Sequence, residues 1–295
     1  MKSDWNLTET LRSFKLFSNT WRRRGLGLGR GILRMSAHSK LLLEALLRES
    51  LDLIDPGFCR ECKGVVTHPR DPFCSDCLSR VRWIGSACAR CGLPVVQPAR
   101  APQGPLHVDS LPPPCGVCRP LRLRFDWASA SGLHEGPLRT AVLAFKFCGD
   151  LGVLQFLRDS LTRAALASSL EPAMRQAEAI VPVPLHPLKR WWRGLDSGLL
   201  LAEELALGLA PRQRLPVLPL LRKQRWTPPQ STLKAAQRRR NLRNGFAVLP
   251  GVRVPQVVVL VDDVLTSGST ASECARALKR GGARRVIVVV AARSE

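Results

Sequence analysis

Two neighbouring carboxylates, Asp262 and Asp263, follow a run of apolar and mostly β-branched residues at 258–261. The small residues at 266–270 surround one glycine and stand just before a predicted helix. A strand, a tight turn and a helix start present backbone N–H groups and the positive end of the helix dipole to an anion. The carboxylates can accept hydrogen bonds from a sugar diol or bind a divalent metal. Together, these features predict a site for a phosphorylated ribose.

Each half of this motif also occurs alone in unrelated folds. Paired acids after an apolar strand occur in receiver-like and metal-dependent folds, and Thr/Ser/Gly turns are common. The turn lacks the Gly-Lys-Ser/Thr of a Walker A loop and the G-x-G-x-x-G spacing of a dinucleotide site. All thirteen positions from Val258 to Thr270 resemble the 5-phosphoribosyl-1-pyrophosphate (PRPP) signature of type I phosphoribosyltransferases. This resemblance favours PRPP as the ligand.

Eight of the ten cysteines form four C-x-x-C pairs, a spacing that aims two thiolates at one tetrahedral ion. They are Cys59/Cys62, Cys74/Cys77, Cys88/Cys91 and Cys115/Cys118. Disulfides are the alternative, but no export signal supports them, and a thioredoxin-like motif needs one pair. We therefore expect structural Zn²⁺, as one or two ions, in closed sites that do no catalysis.

The spacing does not determine which two C-x-x-C pairs bind the same ion. Sequential partners would enclose gaps of 11 and 23 residues. Interleaving Cys59/Cys62 with Cys88/Cys91 would instead give a cross-braced double ribbon. In either arrangement metal would supply much of the stability of residues 57–120, because the region is too small and polar to fold on apolar burial alone. The two single cysteines, Cys148 and Cys274, are expected to differ from these ligands, with Cys274 packed in the interior.

The chain has 295 residues and a formal net charge of +22. Its length allows a full α/β domain with a smaller companion, and its charge attracts polyanions without specifying which. No apolar run approaches the roughly 18 residues of a membrane span. Residues 1–34 are basic, and Arg22-Arg23-Arg24 suggests an export signal, but Arg30 and Arg34 interrupt the apolar stretch. We expect a disordered extension, or a true start at Met35, and a cytoplasmic protein.

Alternating strands and helices from about Phe125 predict a mostly parallel sheet flanked by helices, preceded by a small zinc-ribbon domain. A mobile Pro-rich loop is expected at 94–114. The expected helices cover 39–54, 138–147, 196–209 and 270–280, and the expected strands cover 179–183, 217–221, 257–261 and 285–291. The predicted domains are the extension at 1–34, an amphipathic helix at 35–56, the double ribbon at 57–120 and a phosphoribosyltransferase domain at 121–295.

Two further segments can complete an anion site at the carboxyl ends of the strands. Pro182, Val183 and Pro184 form a stiff turn that can present backbone N–H groups to pyrophosphate, although by itself this segment favours an ordinary strand exit. Lys189, Arg190 and Arg193 follow it, with two tryptophans that could stack a base or simply pack. Residues 222–245 contain eight Lys/Arg and no acid. This stretch is either a solvated charge run or a loop that closes over PRPP.

The order of these motifs over about 35–295 resembles the ComF family, which combines a leading helix, a double zinc ribbon and a type I phosphoribosyltransferase domain. The matching residues are the four C-x-x-C pairs, the hexapeptide Phe145 to Asp150, the 181–184 turn with Arg193-Gly194, then Gln230, Arg239-Arg240-Asn241, Phe246 and the PRPP signature. One departure concerns Leu195-Asp196-Ser197, where the family tends to have Phe-Asn-Gln. If those side chains position the acceptor, this departure affects substrate choice or activity.

The resemblance implies a site for Mg²⁺-PRPP. Asp262 and Asp263 would hold the ribose 2- and 3-hydroxyls, and the turn would hold the 5-phosphate. Arg222, Lys223 and the 182–184 turn would face pyrophosphate, while a base or amine attacks C1. The residues of the phosphate turn are Thr266, Ser267, Gly268, Ser269 and Thr270.

A second hypothesis is a non-catalytic nucleic-acid-binding protein in DNA uptake or natural competence that binds or senses PRPP. The resemblance implies single-stranded DNA and DNA-uptake proteins as its partners. A third, a PRPP-responsive transcription regulator, is less favoured because no helix-turn-helix is evident.

Overall fold

The computed structural model describes residues 57–68, 71–95, 113–185, 196–224 and 244–294. All of them lie in one compact unit, Asp55–Glu295. The predicted extension at 1–34, the helix at 39–54, the cations at 189–193 and most of the basic stretch at 222–245 fall outside the described residues. So does the Pro-rich loop apart from its ends.

A four-stranded parallel sheet forms the centre of the unit, with strand order β1-β6-β5-β2. Its strands are runs of small and β-branched residues, which suit a sheet covered on both faces. The strands are β1 (Trp127–Leu133), β2 (Ala179–Pro182), β5 (Val257–Leu265) and β6 (Arg285–Arg293). The predicted α/β class with a parallel sheet is therefore confirmed.

Each face of the sheet packs against different helices because side chains alternate along a strand. On β5, Val259 and Val261 join one core, and Val258 and Leu260 join the other. The first core is covered by α3 (Leu154–Ala165) and α5 (Ser197–Leu209), and the second by α6 (Ser269–Arg280). Full burial of such side chains contributes about 1.5–3 kcal/mol each, so the sheet is a rigid support for its carboxyl edge.

The remaining helical segments are short. A helix α2 (Gly136–Leu143) runs directly into one turn of π-helix, Ala144–Cys148, and ends at Gly149 with a φ of 64°. The other short segments are α1 (Ser75–Ser79), a 3-10 turn at Leu151–Val153 and α4 (Glu171–Met174).

Several predicted boundaries are wrong. The strand expected at 217–221 is instead β3 (Leu221–Lys223), which pairs antiparallel with β4 (Phe246–Val248), and Val217 makes a single bridge to Ile180. Pro219 lies in the expected span and cannot donate to a strand ladder, which explains the shift. The strand expected at 257–261 continues to Leu265, so both aspartates lie within β5. Helix α3 and strand β1 were not among the predicted elements.

The cysteine region packs directly on the sheet. Its small loops close through bridges between Phe58 and Val65 and between Ala87 and Pro94, and Trp83 bridges Gly132 at the end of β1. Phe73 lies in the same core as the helices of the first face. In the part of the chain that the structure describes, no helix has the length and hydropathy that crossing a bilayer requires.

Candidate functional site

The turn between β5 and α6 has the geometry expected of a phosphate cradle. Gly268 adopts a φ of 71°, and a Cβ there would come within 3.3 Å of Leu123 and 3.4 Å of Phe125. The left-handed backbone therefore favours glycine, and the neighbouring side chains leave little room for a Cβ. No side chain caps the first turn of α6, so its first N–H groups are available to an anion. The hydroxyls of Ser267 and Ser269 lie 2.9 Å apart beside them.

A cleft of about 180 Å³ borders this turn. Its lining includes Ser267 and Ser269, the exposed Arg122 and Arg124, and the carboxylate residue Glu273. Arginine is a strong donor to phosphate oxygens. The sequence reasoning missed these two arginines because they precede β1, far from the turn in sequence.

Asp262 and Asp263 lie at the carboxyl edge of the sheet but have different surroundings. The Oδ2 atom of Asp263 is 2.7 Å from the Nζ of Lys146, and the Asp263 side chain is largely buried. Asp262 lies near Lys146 and near Cys274 of α6, with which it interacts electrostatically. Each carboxylate also accepts a hydrogen bond from the next backbone N–H, at 2.9 Å for Asp262 and 2.8 Å for Asp263.

Burial and the neighbouring Asp263 charge raise the pKa of Asp262 to about 7, while Lys146 works in the opposite direction. A carboxyl that exchanges its proton near neutral pH can accept a hydrogen bond when ionised and donate one when protonated. Both carboxyls can accept hydrogen bonds from the hydroxyls of a sugar diol when they are ionised. The same burial raises the pKa of Cys274 well above its ordinary value, and the thiol is packed as expected.

Lys146 is another site residue to which the sequence analysis assigned no role, although it lies in the family hexapeptide. It sits on the π-helical turn, a rare conformation that often occurs at functional sites. His134, just past β1, interacts electrostatically with both Lys146 and Asp263. Burial, together with Arg139 and Lys146, lowers the pKa of His134, so its imidazole is neutral at neutral pH. The edge of the sheet thus carries a lysine, a neutral histidine and two carboxyls.

The Pro182-Val183-Pro184 turn lies beside the same edge. The N–H of Val183 donates to the carbonyl of Val261 at 3.0 Å, which fixes the turn to β5. A Cβ on Gly198 would lie 2.5 Å from the carbonyl oxygen of Val183, so α5 approaches the turn closely there. Asp196, the departure from the family pattern, accepts a hydrogen bond from Leu199 N–H at 3.2 Å and caps α5. Its carboxylate therefore has a local structural role.

Arg222 and Lys223 lie on β3 of the two-stranded ribbon, next to α6. Arg222 is exposed, and the ammonium of Lys223 lies 5.6 Å from the centre of the Phe246 ring. Lys223 also interacts electrostatically with Cys274, on the side of α6 that faces Asp262. The ribbon holds the two ends of the basic stretch.

The eight predicted metal ligands form two groups, each built from pairs that are sequential in the chain. This settles the partnership in favour of the sequential alternative. Within each group the ligand atoms lie within 4.8 Å of one another. The first group, here called cluster 1, is Cys59, Cys62, Cys74 and Cys77, and the second, cluster 2, is Cys88, Cys91, Cys115 and Cys118.

The sulfur spacing fits a tetrahedral ion. Ligands at about 2.3 Å from zinc are about 3.8 Å apart along a tetrahedral edge. The Sγ atoms are 3.7 Å apart for Cys62–Cys74 and for Cys91–Cys115, and 3.9 Å apart for Cys88–Cys118. All eight cysteines are free of disulfides. The two clusters are therefore consistent with zinc ribbons.

The first C-x-x-C pair of each cluster and the residue after it form a tight loop, here called a knuckle. The two knuckles have the same backbone conformation. In each, the residue four positions after the first cysteine has a left-handed conformation, Lys63 with a φ of 65° and Gly92 with a φ of 72°. Its N–H donates to the carbonyl of that first cysteine, at 2.9 Å and 2.8 Å. Although burial opposes it, hydrogen bonds from backbone N–H groups lower the pKa of Cys59 to about 6. A thiol so placed is readily converted to the thiolate that a metal binds.

The carboxyl-terminal part of the chain matches the family model described as the phosphoribosyl transferase domain, over residues 195–295. Together with the parallel sheet and the phosphate turn, this match places the protein among those with a phosphoribosyltransferase domain.

Relatives extend the match to most of the chain. The DNA utilization protein YhgH of Salmonella typhimurium is 31% identical over 237 residues, covering 79% of this chain and 95% of that protein. The competence protein F of Haemophilus influenzae is 28% identical over 233 residues, or 78% of this chain and 94% of that protein. The Escherichia coli K12 YhgH protein is 28% identical, with 79% and 95% covered. The chain belongs to the ComF/YhgH family.

Proposed function

We propose that this protein binds Mg²⁺-PRPP and transfers its phosphoribosyl group to a nitrogen of a base or amine, with release of pyrophosphate. The observation that carries the proposal is the uncapped phosphate turn beside two carboxyls at one edge of a parallel sheet. This edge is where ligands bind in open α/β sheets. The phosphoribosyl transferase match over 195–295 supports the same ligand.

In the proposed reaction the acceptor nitrogen attacks C1 of the ribose. The C1–N bond forms as the C1–O bond to pyrophosphate breaks, and pyrophosphate leaves with the bonding electron pair. The residues of the turn would hold the 5-phosphate, and Asp262 and Asp263 would hold the two ring hydroxyls. Mg²⁺, when bound with PRPP, would neutralise charge on the leaving group. The cations on the protein side would be Lys146, Arg222 and Lys223, which favour departure of a polyanion.

The test is pyrophosphate release from Mg²⁺-PRPP against a panel of bases and amines. We expect acceptor-dependent release by the wild-type chain and none by Asp262→Asn/Asp263→Asn, which should also lose PRPP binding. Asp71→Asn, at an exposed carboxylate outside the site, is the control and should keep both activities. PRPP binding without release for any acceptor would rule out the transferase and leave PRPP binding in place.

A second candidate is a DNA-binding accessory role in the cytoplasm, in the uptake or use of DNA. It is favoured by the names of the relatives and by the net charge of +22. Single-stranded DNA would contact exposed arginines near the clusters, among them Arg119, Arg122 and Arg124. The affinity for single-stranded DNA should then fall steeply between about 50 and 200 mM salt, because counterions compete for the phosphates. The fall should be about tenfold or more even if only a few contacts form. Binding that does not change with salt would exclude this role.

We further propose that each cluster binds one structural Zn²⁺. The thiolate spacing and the closed, partly buried sulfur sets support this, since four-cysteine sites with no open position serve structure. Metal analysis should find about two zinc ions per chain, and Cys115→Ser should reduce the count to about one. Fewer than one zinc per chain with oxidised thiols would contradict the proposal.

A further inference from the structure

Cluster 2 and the phosphate turn are joined by a buried arginine. Arg293, the last residue of β6, is 6% exposed and donates from Nε to the carbonyl of Cys91 at 3.0 Å. From the other side of its guanidinium, the Nη1 atom donates to the carbonyls of Leu265 and Thr266, each at 2.6 Å. Thr266 begins the phosphate turn. One side chain therefore bridges a cluster ligand and the turn.

A second path of contacts runs from the same knuckle to the same turn. Arg90, between two ligands of cluster 2, donates to the carbonyl of Leu123 at 2.9 Å and to that of Phe125. The side chains of Leu123 and Phe125 are the ones that pack against Gly268, at the centre of the turn. Leu123 also packs on the cysteines of cluster 2. Both paths begin at the Cys88-to-Gly92 knuckle.

The position of the Cys91 carbonyl depends on the shape of this knuckle, because Gly92 and its hydrogen bond to Cys88 close it. Four thiolates converging on one ion would hold that shape. Without the ion, the loss of this cross-link would free the knuckle to open. Arg293 would then lose its hydrogen bond to the Cys91 carbonyl. The guanidinium that donates to Leu265 and Thr266 would no longer be fixed from its other side.

We propose that cluster 2, when loaded with metal, holds the phosphate turn in its binding conformation, with Arg293 as the positioning residue. Cluster 1 has no comparable contact with this turn among the described residues, so it provides the matched control. The proposal rests on the proposed PRPP site for its ligand, but the order of the turn can be measured without any ligand.

The experiment compares three variants of the full chain. Cys115→Ser removes a ligand of cluster 2 that does not itself contact the turn, and Cys62→Ser removes an exposed ligand of cluster 1. Arg293→Lys keeps both clusters and the positive charge. It removes the planar guanidinium, which donates hydrogen bonds to several carbonyls at once. The measurements are zinc content, hydrogen exchange of the amides at 266–270, and the affinities for ribose 5-phosphate and for pyrophosphate.

Cys115→Ser and Arg293→Lys should each speed exchange in the turn and weaken ribose 5-phosphate binding by about tenfold, as expected for the loss of one or two hydrogen bonds. Cys62→Ser should leave exchange in the turn unchanged within about twofold, and pyrophosphate affinity should not change in Arg293→Lys. The wild-type chain stripped of zinc should show the same faster exchange, and adding zinc should reverse it.

Equal exchange in the turn for Cys62→Ser and Cys115→Ser, each having lost one zinc, would overturn the proposal. Unchanged exchange in the turn of Arg293→Lys would overturn the proposed role of Arg293. If Cys115→Ser does not fold, the exchange measured in Arg293→Lys tests the link between cluster 2 and the turn. If the wild-type chain binds neither ribose 5-phosphate nor PRPP, the proposed function fails, whereas the exchange comparison still tests the link between cluster 2 and the turn.

Discussion

Asp262 and Asp263 are adjacent in the chain, yet they meet different partners at the edge of the sheet. Asp263 is paired with Lys146 at 2.7 Å, whereas Asp262 is held among buried groups that raise its pKa to about 7. A strand places successive side chains on opposite faces, and here one face carries the π-helical turn and the other carries α6. The motif therefore combines one ion-paired carboxylate with one carboxyl that titrates near neutral pH.

Asp262→Asn should stabilise the ligand-free protein at pH 8 and leave it unchanged below about pH 4. The folded pKa of Asp262 is raised, so its favourable contribution is complete below the unfolded value of about 4 and is lost as the pH rises through about 7. Asparagine does not ionise, so the variant does not lose this stability as the pH rises. Thermal unfolding at several pH values measures the gain, at about 2–4 °C for each kcal/mol in a domain of this size. An equal gain at pH 4 and pH 8 would contradict this interpretation.

Lys146→Met should destabilise the protein by about 1–3 kcal/mol, because it leaves the largely buried Asp263 without its cation. Asp263→Asn in the same chain should recover part of that loss, since the uncompensated charge is then gone. Urea unfolding of the two single variants and the double variant measures the coupling. Strictly additive effects would show that the pair contributes no net interaction.

At the scale of elements, each cysteine cluster is attached to a different part of the site. Cluster 2 reaches the phosphate turn through Arg293. Cluster 1 reaches the end of the π-helical turn that carries Lys146, because Arg60, inside its first knuckle, makes two contacts with Asp150, at 2.6 Å and 3.2 Å. Asp150 in turn accepts from the N–H of Gly152 at 2.8 Å and begins the 3-10 turn. The ribbons are thus structural supports for the edge of the sheet.

Arg60→Gln should lower stability by about 1 kcal/mol at pH 7, a value discounted for the partial exposure of both side chains. Although burial opposes it, Arg60 lowers the pKa of Asp150, so this contribution is present above pH 4 and is lost as the pH falls through the folded value. Thermal unfolding from pH 3 to pH 7 measures it. Arg175→Gln, which breaks an exposed pair with Glu171, is the control and should have a smaller effect. Equal losses in the two variants would contradict a special role for Arg60.

At the scale of the whole molecule, the cysteine region and the sheet share one core. Cys59, Val66, Phe73 and Cys77 lie in the same cluster of buried residues as the helices that cover the first face of the sheet. Arg80 adds a contact of 2.7 Å to the sulfur of Cys77. Because apolar contacts cross between the two regions, we expect them to unfold together.

Removal of zinc with a strong chelator should therefore lower the unfolding temperature of the whole unit, by at least several degrees, because structural zinc supplies folding free energy. Circular dichroism of the helices and the reactivity of the thiols should change in one transition. Two separate transitions, with the helices keeping their original midpoint, would show that the ribbons fold independently of the sheet.

The sequence by itself determined the local features whose physics lies within a few residues. The strand, turn and helix of the phosphate motif, the four C-x-x-C pairs and the strongly basic charge could all be read from neighbours in the chain. The same reading misplaced a strand near Pro219 and assigned no role to Lys146 within a motif that it had recognised. Arg122, Arg124 and Arg293 were missed for the same reason, since nothing in their neighbourhoods marks them.

Only the tertiary structure decided which groups meet. Sequential cysteine pairs form each cluster, a grouping that the spacing alone left open. Arg293 contacts Cys91 across a separation of 202 residues because β6 runs parallel to β1 and β5 and ends beside both the turn and the second knuckle. Lys146 meets Asp263 at the same edge. Such contacts depend on the order and register of parallel strands, and no local pattern of residue types encodes that order.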